Sequence, residues 1–428
     1  MLFTTVMVLM LAAFTIGVPV AFSFLLPAVL YLGQQGVPLL VAVQKMANGV
    51  ESFPLLAVPF FIAAGELMNT GGVTRRLVNL ASTLVGHIRG GLAHVVVVSN
   101  MIMAGMSGSA LADAAGTGRV LIPAMVQEGY STPFAAAIVS AAGTIGPIIP
   151  PSIGFVLYGF VASTSVGRLF LGGVIPGTLM GLFLMATAYI VSRRRNYPRH
   201  QRATFGQFLV AFKESSWALL MPVLIIGGIL SGATTPTEAA AVAAIYGLFV
   251  GMFIYQEIRP RDLLAISARV VRSTAVVLFI VAAAAVLQYI FAREGLGQAI
   301  QELFKPLAGH RALALLYVNL FFLFLGCIME GTAILLLFTP LFLPLIDSLG
   351  VDRVHFGVLF VLNLMIGGLT PPVGTIMYVV LNISKVRMID FIREVWPMLI
   401  ALTAVLFIIT YYPPLVLFIP DLLMGKAR

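Results

Sequence analysis

The sequence is short of charge. Only 10% of its 428 residues are Asp, Glu, Lys or Arg, where a soluble globular domain carries about 25%. Hydrophobic residues make up 60%, and the mean hydropathy is +1.05. A chain this poor in charge cannot clothe itself in a solvated surface and needs lipid around it. A lone cysteine, Cys327, excludes an intrachain disulfide. His87, His94, His200, His310 and His355 show neither the i, i+4 pairing nor the carboxylate spacing of a metal site, no Gly-rich loop ends in Gly-Lys-Ser/Thr, and no serine sits in a Gly-x-Ser-x-Gly elbow. Zinc hydrolysis, ATP hydrolysis and serine-triad chemistry are therefore not expected. An intramembrane enzyme would need a dyad facing a cavity; Asp113 with Glu330 is the one candidate pair, and neither stands at a protease or transferase spacing.

What the sequence has is long apolar stretches. No charge interrupts residues 1–44, 129–167, 169–192, 215–237, 239–256, 273–292, 312–329, 354–384 or 395–420. Since about 20 apolar residues cross a bilayer as a helix, roughly ten to twelve crossings are expected, several of them interrupted. The first apolar run follows Met1–Thr5, which lacks a basic flank, and reads as a retained span rather than a cleaved signal. The net charge of +9 does not point to nucleic acid, because the basic residues are scattered through short loops without an aromatic platform. The positive-inside rule accounts for them. Its strongest anchor is the polar break from Arg193 to Arg202, placed in the cytoplasm as a linker over about 193–214, with a polybasic lipid contact as the alternative.

That break divides two halves that repeat. Pro123 and Pro344 stand 221 positions apart, and the same shift superposes Gly129 on Gly350, Gly146 on Gly367, Pro150 on Pro371 and Pro151 on Pro372. The repeats are expected over about 50–192 and 270–420. The motifs Thr144–Pro151 and Met365–Pro372 combine glycine with Pro-Pro, and the Gly-to-Pro-Pro stretch of each should unwind within the membrane. Free carbonyls there are tolerated only against protein or water, which makes matched breaks a pointer to an ion and substrate site, with ordinary proline kinks as the plainer reading. Upstream, the shift sets Gly105-Met106-Ser107-Gly108-Ser109 opposite Gly326-Cys327-Ile328-Met329-Glu330. The flanks of Ser107–Ser109 are each short for a crossing, so a re-entrant helical hairpin is expected. Its hydroxyls and carbonyls suit a small cation, and its returning helix offers amides to an anion; small-residue packing is the other reading of the serines. Asp113, four residues after Ser109, is a carboxylate in an apolar context and a functional candidate, or else a capping or pairing group. Glu238, behind Thr235-Pro236, looks like a helix start. Glu66 is undecided. Arg119 and Arg168 are expected to snorkel at loop ends.

The runs Phe53–Phe61, Gly65–Met68, Gly90–Ala93, Ser107–Asp113, Ile149–Ile153, Pro236–Ala240 and Thr370–Gly374 resemble, in order and over almost the whole chain, the large membrane subunit of tripartite ATP-independent periplasmic (TRAP) transporters, the DctM family. The resemblance implies an all-α, polytopic bacterial inner-membrane protein of elevator type, with two inverted repeats that each hold a re-entrant hairpin and a broken helix. It implies sodium-coupled uptake of a small organic acid, two or more sodium ions as coupling ions, a small membrane subunit and a periplasmic binding protein. One sodium site would use Ser107, Ser109, Gly143 and Gly146, and the other Gly326, Glu330, Gly367 and Thr370. Ser107, Ser109, Asp113, Thr144, Pro150 and Thr370 are the candidate substrate contacts. A stand-alone sodium or proton symporter or exchanger of similar fold is the competing expectation.

Overall fold

A computed structural model describes residues 2–307 and 309–426, and every regular element among them is helical. The chain begins with α1 (Leu2–Thr15), α2 (Val20–Gln34), α3 (Leu40–Val50), α4 (Ala57–Thr70) and α5 (Val73–Val85). Then come α6 (Gly91–Ser107) and α7 (Ala110–Gln127), which fold back on each other as a hairpin, and α8 (Thr132–Gly143) and α9 (Ile153–Val161), the two parts of a broken helix. The long α10 (Val166–Arg194) completes the first half, and α11 (Phe205–Leu230) and α12 (Pro236–Phe249) join it to the second. The second half runs α13 (Leu263–Arg293), α14 (Leu296–Phe304), the hairpin α15 (Arg311–Ile328) and α16 (Gly331–Ser348), the broken pair α17 (Arg353–Gly367) and α18 (Thr375–Ser384), α19 (Met388–Tyr411) and α20 (Pro414–Met424).

The shift of 221 that aligns the prolines also aligns the helices: α7 falls on α16 end to end, and α6, α8, α9 and α10 fall within a few residues of α15, α17, α18 and α19. The halves interlock through their broken helices. α9, the part beyond the first break, packs on α16 and α17 of the second half, and α18, beyond the second break, packs on α7 and α8 of the first. Each hairpin therefore stands beside a break, and the two breaks share one core.

Local chemistry sets these boundaries. Gly72 and Gly90 take left-handed φ of +73° and +78° at the starts of α5 and α6, a conformation that costs other residues. At Gly90 a side chain is also shut out by Ser192, which would overlap a Cβ. Thr204 and Thr235 open α11 and α12 with reciprocal capping boxes, the second using Pro236 and Glu238, so Glu238 is a helix start as its sequence context suggested. Glu66 pairs with Arg269 at 3.0 Å and ties α4 to α13.

Eight helices among the described residues are each long and apolar enough to cross a membrane unaided, and the interrupted segments stand beside them as shorter apolar helices on either side of the two breaks. Two expectations change. The linker is shorter than 193–214, because α10 continues to Arg194 and α11 starts at Phe205. Arg168 does not snorkel: it is buried and its guanidinium reaches Asp421 and the Gly425 carbonyl, fastening α10 to α20. Arg119 is exposed on α7.

The remaining linker is strapped across the base of the first hairpin. Gly90 N donates to Pro198 O at 2.9 Å and His200 N to Gly86 O at 3.1 Å. His200 Nε2 meets Glu128 at 2.9 Å, Tyr197 stacks on Tyr130 with ring centroids 4.3 Å apart, and Arg195 pairs with Glu394 of α19 at 2.9 Å.

Candidate cation and substrate site

The first hairpin turns through Gly108, whose φ of +60° reverses the chain between Ser107 and Ser109. A Cβ there would stand 2.7 Å from the Pro151 carbonyl oxygen, and Ile153 N donates to Gly108 O at 3.5 Å, so the tip lies directly on the break. Ser109 has extended backbone and its hydroxyl accepts from Ala112 N at 3.4 Å, capping α7. Ser107 Oγ accepts from Ser109 N at 3.3 Å and donates to Asp113 Oδ1 at 2.5 Å.

Asp113 is fully buried, and its second oxygen, Oδ2, has no hydrogen-bond partner. Its amide bonds Ser109 O at 3.1 Å as helix spacing requires, yet its carboxylate turns to Ser107 and to the break. The break admits it because Gly146 has no side chain: a Cβ at 146 would overlap Asp113 Oδ2, and one at Gly143 would come within 2.8 Å of Ala114 Cβ.

Within the break, Thr144, Ile145 and Gly146 turn tightly, each amide bonding three residues back. Pro150 and Pro151 then remove the donors that would serve the carbonyls of Gly146 and Pro147. Ser152 replaces one of them, donating to Pro147 O at 2.5 Å while capping α9. Gly146 O accepts no hydrogen bond among the described residues. Thr144 is buried with its hydroxyl turned back on Ala141 O at 2.6 Å, and Pro150 forms a cis bond with Pro151. Ser107, Asp113, Gly143 and Gly146 thus meet at one place, with Ser109 and Pro150 at its edge.

The second site has the same plan with different donors. Gly326 at the end of α15 packs backbone to backbone on Gly367: a Cβ at Gly367 would stand 2.5 Å from Gly326 Cα. Cys327 O accepts from Val373 N at 3.0 Å, and Pro371 joins Pro372 in a cis bond, as at the first break. Glu330, aligned with Ser109 by the shift of 221, caps α16 through Ala333 N at 3.0 Å and accepts from Thr332 Oγ1 at 2.8 Å. The Asp113 position becomes Ile334 and that of Ser107 becomes Ile328. Each site therefore carries one acid, buried one turn below the tip in the first half and at the tip in the second. Thr370 sits in the break with its hydroxyl on Ile366 O at 2.9 Å. Gly326 and Gly367 meet at the tip, Glu330 follows at the start of α16, and Thr370 lies one turn beyond Gly367.

Residues that were not singled out from the sequence complete the first site. Ser152 is one; a serine directly after Pro-Pro and before an apolar run is a cap signal that could have found it. Asn100 and Thr117 are others: Asn100 Nδ2 bonds Thr117 Oγ1 at 3.2 Å, and Thr117 in turn bonds Asp113 O at 2.7 Å, below the carboxylate. No local spacing marks that pair, since it joins two arms of a hairpin.

The arrangement offers hard oxygen donors, the carbonyls of glycine-rich breaks and one carboxylate in each half, within a core shared by both halves. Comparison with known proteins gives it a family. Residues 4–415 match the family model described as tripartite ATP-independent periplasmic transporter, DctM component. The chain is 42% identical over 415 residues to the sialic acid TRAP transporter large permease protein SiaM of Vibrio cholerae, covering 96% of this chain and 97% of that protein. It is 41% identical over 377 residues to the C4-dicarboxylate TRAP transporter large permease protein DctM of Pseudomonas aeruginosa, covering 88% of each. Its fold is similar to that of the YdaH transporter of Alcanivorax borkumensis, with a TM-score of 0.65, 15% identity and 87% of each chain covered. With these relatives along its whole length, the chain belongs to the DctM family: it is a multi-pass inner-membrane large permease of the TRAP transporters, a transport protein and not an enzyme.

Proposed function

We propose that this permease takes up a small organic acid together with sodium, the ions binding where each hairpin tip meets a break and the acid lying between the two tips. The observation that carries the proposal is Asp113. A carboxylate buried with one oxygen unpartnered is expensive in a low-dielectric core unless a cation or a proton answers it. Its partnerless oxygen lies against Gly146, whose carbonyl Pro150 has deprived of a donor. A carboxylate beside a residue whose carbonyl lacks a donor supplies hard oxygens suited to an alkali ion. Ser107 and Ser109 would complete the first set with Gly143, and Gly326, Gly367, Glu330 and Thr370 the second.

Transport energetics favour cations as well. Moving one charge through 100 mV is worth about 2.3 kcal/mol, and an anionic substrate must enter against that field. Two sodium ions neutralise a dianion, and a third makes the inward step electrogenic. The named relatives carry sialic acid and C4-dicarboxylates, all carboxylates, so the substrate class proposed here is a carboxylic acid delivered by a periplasmic binding protein, with a small membrane subunit beside the permease. The elevator movement of the two hairpin units as one body, as inverted repeats over about 50–192 and 270–420, belongs to the same proposal.

The test is uptake in proteoliposomes holding both membrane subunits, with the binding protein outside. Uptake that requires a sodium gradient, with a sodium dependence steeper than first order, supports the proposal. Uptake that is unchanged without sodium and follows a proton gradient overturns it, and uptake by this chain alone overturns the three-component part.

A further inference from the structure

Pro340 interrupts the hydrogen-bond ladder of α16 midway along the returning arm of the second hairpin. It has no N–H, so the Leu336 carbonyl loses the partner that a residue four places on would supply. Another helix fills the gap: Gln288 of α13 donates its Nε2 proton to the Leu336 oxygen at 2.7 Å. Beside this bond an open cavity separates α13 and α14 from α16, walled by Gln288, Phe291, Gly297, Gln301, Pro340 and Pro344. The first hairpin has no equivalent. Shifted back 221 positions, Gln288 falls on Leu67 and Pro340 on Arg119.

We infer that Gln288 is a positioning residue that latches the second hairpin, its bond to Leu336 setting the rest position of the tip against Gly367. The inference rests on the reading of that tip as a cation site. The arm from Gly331 to Thr339 ends on one side at the tip contacts and on the other at a joint where Pro340 and Pro344 each remove a helix hydrogen bond. A short arm between a tip and a weakened joint swings as a unit. Among the described residues, the side-chain hydrogen bond that ties it to α13 is that of the Gln288 amide, and the cavity gives the arm room to move. Releasing the amide frees the tip from Gly367 without unfolding either helix. An interhelical bond of this kind shifts such an equilibrium by about threefold, and by about twentyfold at the upper end.

Cys327, the single cysteine of the sequence, lies at this tip, half-buried, so its rate of maleimide labelling in the complete transporter reads tip opening without an engineered probe. Gln288→Leu keeps the bulk and removes the donor; labelling should become about threefold to twentyfold faster. Pro340→Ala returns the missing N–H within α16 but makes no link to α13. In the Gln288→Leu, Pro340→Ala double variant, thermal stability should recover while labelling stays fast. Labelling that returns to the wild-type rate in the double variant, or that never changes in Gln288→Leu, overturns the latch. Sodium should slow wild-type labelling; labelling indifferent to sodium overturns the cation-site reading instead, and the ratio of variant to wild-type rates still decides the latch.

Discussion

Gly367→Ala is the sharpest test of the second site. The added Cβ would lie 2.5 Å from Gly326 Cα, 2.7 Å from its carbonyl carbon and 2.9 Å from its oxygen. Carbon atoms at rest stand about 3.5–4.0 Å apart, so tip and break must separate by about 1 Å. Nothing flexible can absorb this, since every atom met is backbone. Overpacking costs about 1–3 kcal/mol, and two backbones in contact place this case near the top of that range. If the cost falls on the closed, ion-bound state, a change of about 3 kcal/mol weakens sodium binding about 100-fold. The assay is half-saturation of uptake by sodium in proteoliposomes, beside thermal unfolding with and without sodium. Gly331→Ala is the control: one residue past Glu330, its Cβ meets only Leu364 Cβ at 3.4 Å, and it should behave as wild type. A Gly367→Ala transporter with sodium half-saturation within about twofold of wild type would refute the reasoning.

Asp113→Asn preserves the shape and the bond with Ser107 while removing the charge, so uptake should fall far more than thermal stability; parallel losses of both would mark Asp113 as a packing group. Ser109→Ala removes the α7 cap together with an oxygen donor, costing about 1 kcal/mol of stability, and uptake should drop beyond what that loss explains when expression is matched. Arg168→Met leaves Asp421 without its partner on α10 and should destabilise by about 3 kcal/mol, read as a lowered melting temperature, with sodium half-saturation unmoved. Gly90→Ala should destabilise through both its φ and its overlap with Ser192, and adding Ser192→Gly should recover only the overlap, leaving about 1 kcal/mol for the left-handed backbone.

The repeat was legible because proline and glycine punctuate it at fixed intervals, and the helices follow the same shift of 221. The tip at Gly108 and the starts at Thr235 and Ser109 were legible for a similar reason, since turns and caps are written in neighbouring residues. Contacts between distant segments were not. Gly326 on Gly367, Gln288 on Leu336 and the buried end of Arg168 each join residues at least 41 positions apart, and neither hydropathy nor periodicity says which face of an all-apolar helix meets which neighbour. The second break could be placed because its Gly-to-Pro-Pro stretch begins at Gly367, where α17 ends and meets Gly326.

The strapped linker sets a limit on travel. His200 is held to the hairpin base at Gly86 and Glu128, and Thr204 already caps α11. Only Gln201, Arg202 and Ala203 lie between, a tether that reaches about 14 Å when drawn straight. If the first hairpin moves past α11 as the proposed elevator requires, that leash goes taut before the displacement of those two ends exceeds its length, so lengthening it by a few glycines should leave resting uptake alone, while removing residues should stall the proposed stroke.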